Sequence, residues 1–311
     1  MINRELIRIK VVQLVYAFYQ NEGRTLEIAE KELAFSIGKA YDLYHILLLL
    51  LVELRHVAEA RADAKVSRSK RLHIELTPED MYDAKLAGNR LLKQMDENKQ
   101  LLDYRDKHSK GWEGESAFIK KLYAQLVESP TMAAYAAKQD ASFDDDRELI
   151  RKLYKDYICR NEELDALLEE QSLYWNDDKE IVDSFVLKTI KRFQPENGVE
   201  QPLLPEYDNE EDRQFAMTLF RTTLQNAETY RQLIRTYAKN WEFNRLACMD
   251  VILMQIALAE MLTFPSIPLS VTFNEYLNIA KVYSTPRSAA YINGLLDHIV
   301  KQLRAEKKLL K

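Results

Sequence analysis

Apolar residues recur at helical spacing along most of the chain. Within residues 4–20, one face at 100° per residue carries the apolar set Ile7, Val11, Leu14, Val15 and Phe18. The same periodicity predicts a second helix from about Leu26 to Arg61, and further helices at about 115–128, 132–138, 144–173 and 178–193. The pattern therefore predicts a chain built of amphipathic helices.

Three segments interrupt this periodicity. A break in the second helix is predicted near Gly38, and residues 62–76 are predicted to form a basic loop. Residues 194–205 contain three prolines and one glycine and are the predicted linker. The predicted domains are accordingly an N-terminal helical region at 1–205 and a C-terminal helical core with a basic tail at 206–311.

Glycine and proline are scarce, with 7 Gly and 8 Pro among 311 residues. Strand-and-turn proteins need glycine for turns with positive φ, whereas helix interiors disfavour both residues. Composition therefore predicts an all-α fold. The apolar run at 46–52 is much shorter than the ~20 residues of a membrane-spanning helix, so it is predicted to be part of a buried core helix.

Signals for secretion and for catalysis are missing from the sequence. The N-terminus lacks the order of a signal peptide, and two isolated cysteines fit a reduced, cytoplasmic protein. The five histidines show no metal-ligand spacing, and no glycine-rich phosphate loop or nucleophile elbow is found. We expect no enzymatic activity, no catalytic residue, no metal, no cofactor and no membrane association.

The net charge of -5 is unevenly distributed. Cations cluster in the first helix, at 65–71 and in the tail at 301–311, whereas acids concentrate at 144–146 and 206–212. Binding of a polyanion depends on the local field rather than on the net charge, so nucleic acid is not excluded.

The last hundred residues carry the most specific motifs, namely Asn240-Trp241, Ile267-Pro268, Asn274-Glu275, Ala280-Lys281 and Ile292-Asn293-Gly294. Together they resemble the C-terminal region of the NusB family, all-helical RNA-binding proteins of bacterial transcription antitermination. The first helix is similar to the arginine-rich first helix of that family, with Arg8, Gln13 and Tyr16 in the family's positions. It departs from the family at Glu5 and Leu6, where basic residues are common.

The resemblance implies a NusB-like helical bundle with additional helices inserted at about 60–205. It also implies a transcription antitermination factor that binds boxA-type single-stranded RNA together with the ribosomal protein NusE. Such a factor promotes read-through in rRNA operons and meets the RNA polymerase elongation complex indirectly. Some members of the family dimerise, so a homodimer remains open.

Nine residues are candidate RNA contacts under this resemblance. Cations would neutralise phosphates, tyrosines would stack on bases, and amides would contact base edges or cap turns. The nine are Arg4, Arg8, Lys10, Gln13, Tyr16, Lys281, Arg287, Tyr291 and Asn293. By contrast, Trp241, Arg245 and Asp250 are predicted to maintain structure.

Two alternatives stay open from the sequence. One is a helical protein-interaction adaptor that does not bind RNA. The other is an RNA-binding module related to the NusB-like domain of rRNA methyltransferases, which would need a nucleotide-binding α/β domain with glycine-rich turns.

A possible internal repeat accompanies these motifs. A shift of 66 positions aligns residues 146–175 with 212–241, and each copy ends on a tryptophan, Trp175 or Trp241. This alignment suggests that a helical pair of the C-terminal core was duplicated.

Overall fold

The computed structural model describes residues 1–21, 23–108, 111–175, 177–238 and 247–309. These residues form the α-helices α1 Arg4–Gln20, α2 Leu26–Leu72, α3 Met81–Ala87, α4 Arg90–Asp96, α5 Lys99–Lys107, α6 Ser116–Val127, α7 Pro130–Ala136, α8 Phe143–Leu153, α9 Glu162–Gln171, α10 Lys179–Arg192, α11 Glu210–Gln225, α12 Ala227–Tyr237, α13 Cys248–Thr263, α14 Leu269–Tyr283 and α15 Ser288–Ala305. Short π- or 3-10-helical turns occupy Tyr154–Ile158, Leu173–Trp175 and Pro195–Glu200. The prediction of an all-α fold is confirmed.

Side-chain caps fix the starts of several helices. Asn3 Oδ1 accepts from the Leu6 N–H at 2.9 Å at the start of α1, and Asn209 Oδ1 accepts from the Asp212 N–H at 2.8 Å at the start of α11. Ser142 and Asp145 form a reciprocal capping box on α8. These oxygens satisfy N–H groups that have no partner within the helix.

The chain divides into two compact units. Unit 1 comprises Met1 and Lys39–Pro205, and unit 2 comprises Ile2–Gly38 and Glu206–Lys311. The predicted domains also met at 205/206, but they assigned residues 2–38 to the N-terminal region. In the structure α1 belongs to unit 2 because its apolar face packs on α11 and α13. Acidic and basic residues nearly balance in unit 2, so the acidic excess of the chain lies in unit 1.

The central helix of unit 2 is α13, which contacts α1, α11, α12, α14 and α15. It is apolar almost all round, and Leu253, Ile256 and Leu258 are fully buried. A helix of this composition is stable only when neighbours cover it on every side. Its two fully buried polar side chains, Gln255 and Glu260, therefore need partners inside the unit.

The later part of α2 passes through the core of unit 1. Residues 46–52 are buried, which confirms the prediction of a core helix. By length and composition alone α2 could cross a membrane, but 72% of its apolar window is buried inside the structure. Such burial is typical of a core helix in a soluble protein.

The predicted break near Gly38 is wrong, and so is the predicted loop at 62–76 as far as Leu72, because α2 continues without interruption to that residue; only residues 73–76 of the predicted loop are not helical. No glycine or proline occurs between Gly38 and Leu72, so nothing in the backbone opposes the helix. Lys65 also secures its last turns, with Nζ 2.8 Å from Asp83 Oδ2 and 3.2 Å from Asp80 Oδ1.

Residues 194–205, predicted as a linker, are bound to the rest of unit 1. Gln94 Nε2 donates to the carbonyls of Gln194 and Gly198, each at 2.9 Å. The Leu204 N–H donates to Tyr44 Oη at 3.1 Å. The prolines and the glycine interrupt the α-helix as predicted, but side-chain hydrogen bonds replace the lost backbone partners.

The helix bounds follow the suggested internal repeat. Shifted by 66 positions, α9 falls on 228–237, and α12 spans Ala227–Tyr237. Likewise α8 packs against α10 as α11 packs against α13. The end of the second copy, with Trp241 and the motif residues Asn240 and Arg245, lies outside the described residues, so the duplication stays a hypothesis.

Candidate nucleic-acid interface

The exposed arc of α1 carries no cation. At 100° per residue, the side of the helix that faces away from the core holds Glu5, Ile9, Gln13, Tyr16 and Gln20. Arg8 and Lys10 lie on the two flanks of this arc and are buried, whereas Arg4 is paired with Asp212 and Glu211 of α11. The expected cationic stripe on the outside of α1 is therefore not formed.

Arg8 is part of a buried ionic network. Its Nε and Nη2 donate to the two oxygens of Glu260 at 2.8 and 2.9 Å, and the two side chains are only 3% and 0% exposed. The Thr272 and Tyr276 hydroxyls donate to the same carboxylate at 2.8 and 3.0 Å. This geometry joins α1, α13 and α14, and it leaves the Arg8 guanidinium unavailable to a phosphate.

The pKa shifts agree with this network. Burial alone would lower the pKa of Arg8, but the hydrogen bonds and the charge of Glu260 outweigh it and the pKa is raised. Burial, together with the neighbouring Glu260 carboxylate, raises the pKa of Tyr276 well above its ordinary value. The arginine stays charged and the tyrosine stays a hydrogen-bond donor over the physiological pH range.

The other two cations of α1 also serve the interior. Arg4 is half-buried, and its Nε and Nη2 lie 2.9 Å from Asp212 and 2.8 Å from Glu211. Lys10 is buried. Lys10 is not accessible to a phosphate, and Arg4 is already paired with two acids, so the structure favours structural roles for Arg4, Arg8 and Lys10.

Gln13 and Tyr16 are the candidate residues of α1 on its exposed arc. Tyr16 is 41% exposed, one turn after Gln13 on the same side of the helix. Gln13 Nε2 donates to Tyr283 Oη at 3.3 Å, which places the end of α14 beside this arc. We call these three residues, Gln13, Tyr16 and Tyr283, the α1–α14 face.

Lys281 does not share that face. Lys281 is exposed, and its Nζ donates to Asn278 Oδ1 at 3.1 Å. It is two positions before Tyr283, which corresponds to a rotation of about 200° around the helix axis. It therefore points away from α1. Val282, which is 76% exposed, lies between them.

The turn between α14 and α15 is held by a buried acid. Asp250 of α13 accepts from Ser284 Oγ at 2.5 Å and from Ser288 Oγ at 2.9 Å. These bonds fix the backbone on both sides of Arg287, which is exposed. Asp250 was predicted to be structural, and its contacts fit that role.

Tyr291 and Asn293 lie on opposite flanks of α15, again about 200° apart. Asn293 is exposed, whereas Tyr291 is half-buried. Burial, and then the charge of Asp250, raises the pKa of the Tyr291 hydroxyl. A single RNA strand cannot easily reach both side chains, so the structure does not bring this predicted pair together.

Comparisons with known proteins identify a family and relatives of this sequence. The NusB family model matches residues 184–301. The transcription antitermination protein NusB of Salinibacter ruber is 37% identical over 132 residues, which cover 40% of this chain and 82% of that protein. The protein of the same name from Koribacter versatilis is 39% identical over 99 residues, covering 32% and 68% of the two chains.

The chain belongs to the NusB family. A solved structure of T. maritima NusB is also similar, with 30% identity over 40% of this chain and 87% of that one, at a TM-score of 0.30. The family model begins within α10 and does not include α1. In this NusB family member, the assignment of sites on α1 therefore rests on its residues and its packing.

Sequence reasoning missed two residues that organise the site. Tyr283 could have been found as the aromatic residue at the end of α14, immediately after the family motif around Lys281. Glu260 is the single charged residue between Val251 and Thr263, which is the mark of a buried acid with a dedicated partner. Among the residues that the structure describes, no group of three or more His, Cys, Asp or Glu could hold a metal ion.

Proposed function

We propose that this NusB family member is a non-enzymatic, cytoplasmic transcription antitermination factor that binds boxA-type RNA together with the ribosomal protein NusE. Read-through by RNA polymerase in rRNA operons would follow from that complex, with indirect contact to the elongation complex. The observation that carries the proposal is the similarity to proteins named transcription antitermination protein NusB, one of which is covered over 82% of its length.

The α1–α14 face is the proposed base-contacting surface. Tyr16 offers an exposed aromatic ring, and Gln13 beside it offers an amide. Stacking of one base on an aromatic ring contributes about 1–3 kcal/mol, and single-stranded RNA is recognised largely by such contacts. The proposed phosphate contacts of unit 2 are Arg287 and Lys281. Lys281 lies on the side of α14 opposite Tyr283.

A protein-interaction adaptor is the second candidate function. It is favoured by one observation, the absence of cations from the exposed arc of α1 within residues 4–20. Such a protein would still bind a NusE-type partner but would not bind RNA. We further propose that the protein can form a homodimer, which light scattering on the samples described below would detect.

Binding of labelled RNA tests the two candidates directly. We would titrate the full chain into a boxA-type RNA and into a scrambled RNA of equal length, with and without NusE, at several salt concentrations. Tighter binding to the boxA sequence, weakening as salt rises, is the result expected of a factor that reads sequence and contacts phosphates.

Equal, weak binding to both RNAs, with NusE still bound, would contradict the RNA-binding proposal and support the adaptor. Light scattering on the same samples would report a homodimer. Lys31→Gln is a suitable control for protein quality, because Lys31 is exposed on the part of α2 that belongs to unit 2 and pairs with Glu27 on its own helix.

A further inference from the structure

The C-terminal end of α2 is a basic helix end that the α1–α14 face does not use. From Ala64 to Ile74 the chain carries Lys65, Arg68, Lys70 and Arg71 and no acidic residue. We call residues 64–74 the α2 tip. It belongs to unit 1, which is acidic as a whole, so its cations form a local patch rather than part of a general positive field.

Only one of the four cations of the α2 tip is neutralised. Lys65 pairs with Asp80 and Asp83 of the segment that follows α2. Arg68, Lys70 and Arg71 are exposed and form no ion pair with any residue in the described part of the chain. Three cations are thus available to an external anion.

Their arrangement suits an extended polyanion. Arg68 and Arg71 are one turn apart on the same side of the helix, about 4.5 Å along its axis, and Lys70 lies about 100° around the helix from Arg71. The helix dipole favours cations in a last turn, which gives Lys70 and Arg71 a local reason to be there. Arg68 precedes that turn, so the dipole does not account for the whole patch.

The α2 tip also carries one exposed ring and two exposed apolar side chains at its C-terminal end. His73 ends α2 with a φ of 52°, a left-handed conformation in which histidine is enriched. Its side chain is exposed, and the neighbouring Leu72 and Ile74 are 47% and 52% exposed. Cations next to an exposed ring are the combination that binds single-stranded nucleic acid, with phosphates on the cations and a base on the ring.

The α1–α14 face of unit 2 has few cations available to the phosphates of an RNA. Arg8 and Lys10 are buried and Arg4 is paired with Asp212 and Glu211, so the α1–α14 face supplies contacts to bases but little neutralisation of phosphates. RNA affinity depends strongly on phosphate neutralisation. We propose that the α2 tip is a second, sequence-independent RNA contact, in which Arg68, Lys70 and Arg71 neutralise phosphates that flank the boxA element; this inference rests on the proposed function.

The test compares two variants of equal charge. The first is Arg68→Gln/Lys70→Gln/Arg71→Gln, which keeps good helix formers at all three positions. The control is Lys120→Gln/Arg160→Gln/Lys191→Gln, which removes three exposed cations elsewhere in unit 1. Each is titrated with a boxA RNA extended by unrelated single-stranded sequence on both sides, and with the corresponding scrambled RNA, over a range of salt.

Loss of three phosphate contacts should reduce the slope of log affinity against log salt by about 2, since each contact to a single strand contributes about 0.7. The loss should be equal for the boxA and the scrambled RNA, while the control variant behaves as wild type. Circular dichroism should show the same helix content for all three proteins. A salt slope equal to that of the wild type and the control would overturn the inference.

The proposed function fails separately, if wild type does not prefer boxA RNA over scrambled RNA. The comparison of salt slopes remains decisive in that case, because it uses both RNAs. Absence of all RNA binding would overturn both proposals. Binding of the wild type, and not of the triple variant, to vesicles of anionic phospholipid with no difference on RNA would assign the α2 tip to a lipid surface and overturn the RNA contact.

Discussion

Replacement of Arg8 by alanine should destabilise unit 2 by about 3–5 kcal/mol, the usual cost of removing one partner of a buried ion pair. The magnitude follows from the site: Glu260 is fully buried, and without Arg8 it would keep only the neutral donors Thr272 and Tyr276. Urea unfolding followed by circular dichroism measures the loss. At a typical slope of about 1–3 kcal/mol per molar urea, the midpoint should fall by more than about 1 M.

Arg4→Ala is the matched control, one turn earlier on α1. Arg4 is 31% exposed and pairs with the exposed Glu211 as well as with the mostly buried Asp212, so its loss should cost about 1 kcal/mol, less than the loss of Arg8, whose partner is fully buried. The double variant Arg8→Met/Glu260→Gln should recover part of the lost stability, because it leaves no fully buried charge unpaired; the other acid near Arg8, Glu275, is partly exposed. If Arg8→Ala cost no more than Arg4→Ala, the buried network would not be what holds α1 to α13 and α14.

Three further outcomes are expected. Burial lowers the pKa of His45 to about 4, so the folded state binds fewer protons than the unfolded state and the free energy of unfolding should fall as the pH drops from about 6.5 to 4. In urea titrations at each pH, His45→Phe should remove roughly 2–3 kcal/mol of that loss at pH 4.5. Gly38→Ala should raise the free energy of unfolding by about 0.5–1 kcal/mol, because the nearest atom to an added Cβ, outside its own helix, is Glu206 Oε1 at 4.0 Å; a decrease would mean that α2 is not continuous there. Asp250→Ala should speed hydrogen exchange at 284–291, since Ser284 and Ser288 lose the carboxylate to which they donate. It should also weaken RNA binding, although Asp250 is not itself a proposed RNA contact. Unchanged exchange would show that this acid does not fix the turn.

The helical periodicity was sufficient to predict the fold class, and it was insufficient to predict the helix ends. The basic run at 65–71 has the polarity of a loop, but its composition is compatible with a helix and Lys65 finds acids in the next segment. Residues 194–205 have the composition of a linker, but Gln94 and Tyr44 hold them in place. Contacts of this kind depend on residues distant in sequence, which local patterns do not contain.

The candidate site shows the same limit. The motifs of the α14–α15 region lie within the segment that the family model matches, but the resemblance gave no information on which side of α1 faces the core. Arg8 was a candidate phosphate contact because the first helix resembles the arginine-rich first helix of the family. Its partner Glu260 is 252 positions away, and the sequence hinted at the pair only because Glu260 is the single charged residue between Val251 and Thr263.

Comparison of Tyr16→Ala with Tyr16→Phe tests the central claim most directly, by their affinities for boxA-type RNA and scrambled RNA in the presence of NusE. Tyr16 is exposed, so either variant should fold. Loss of stacking should weaken boxA binding of the alanine variant by roughly 5-fold to 150-fold, and phenylalanine should restore most of it because the ring is kept. If both variants bound boxA RNA as tightly as wild type, the α1–α14 face would not be the surface that this protein uses to bind RNA.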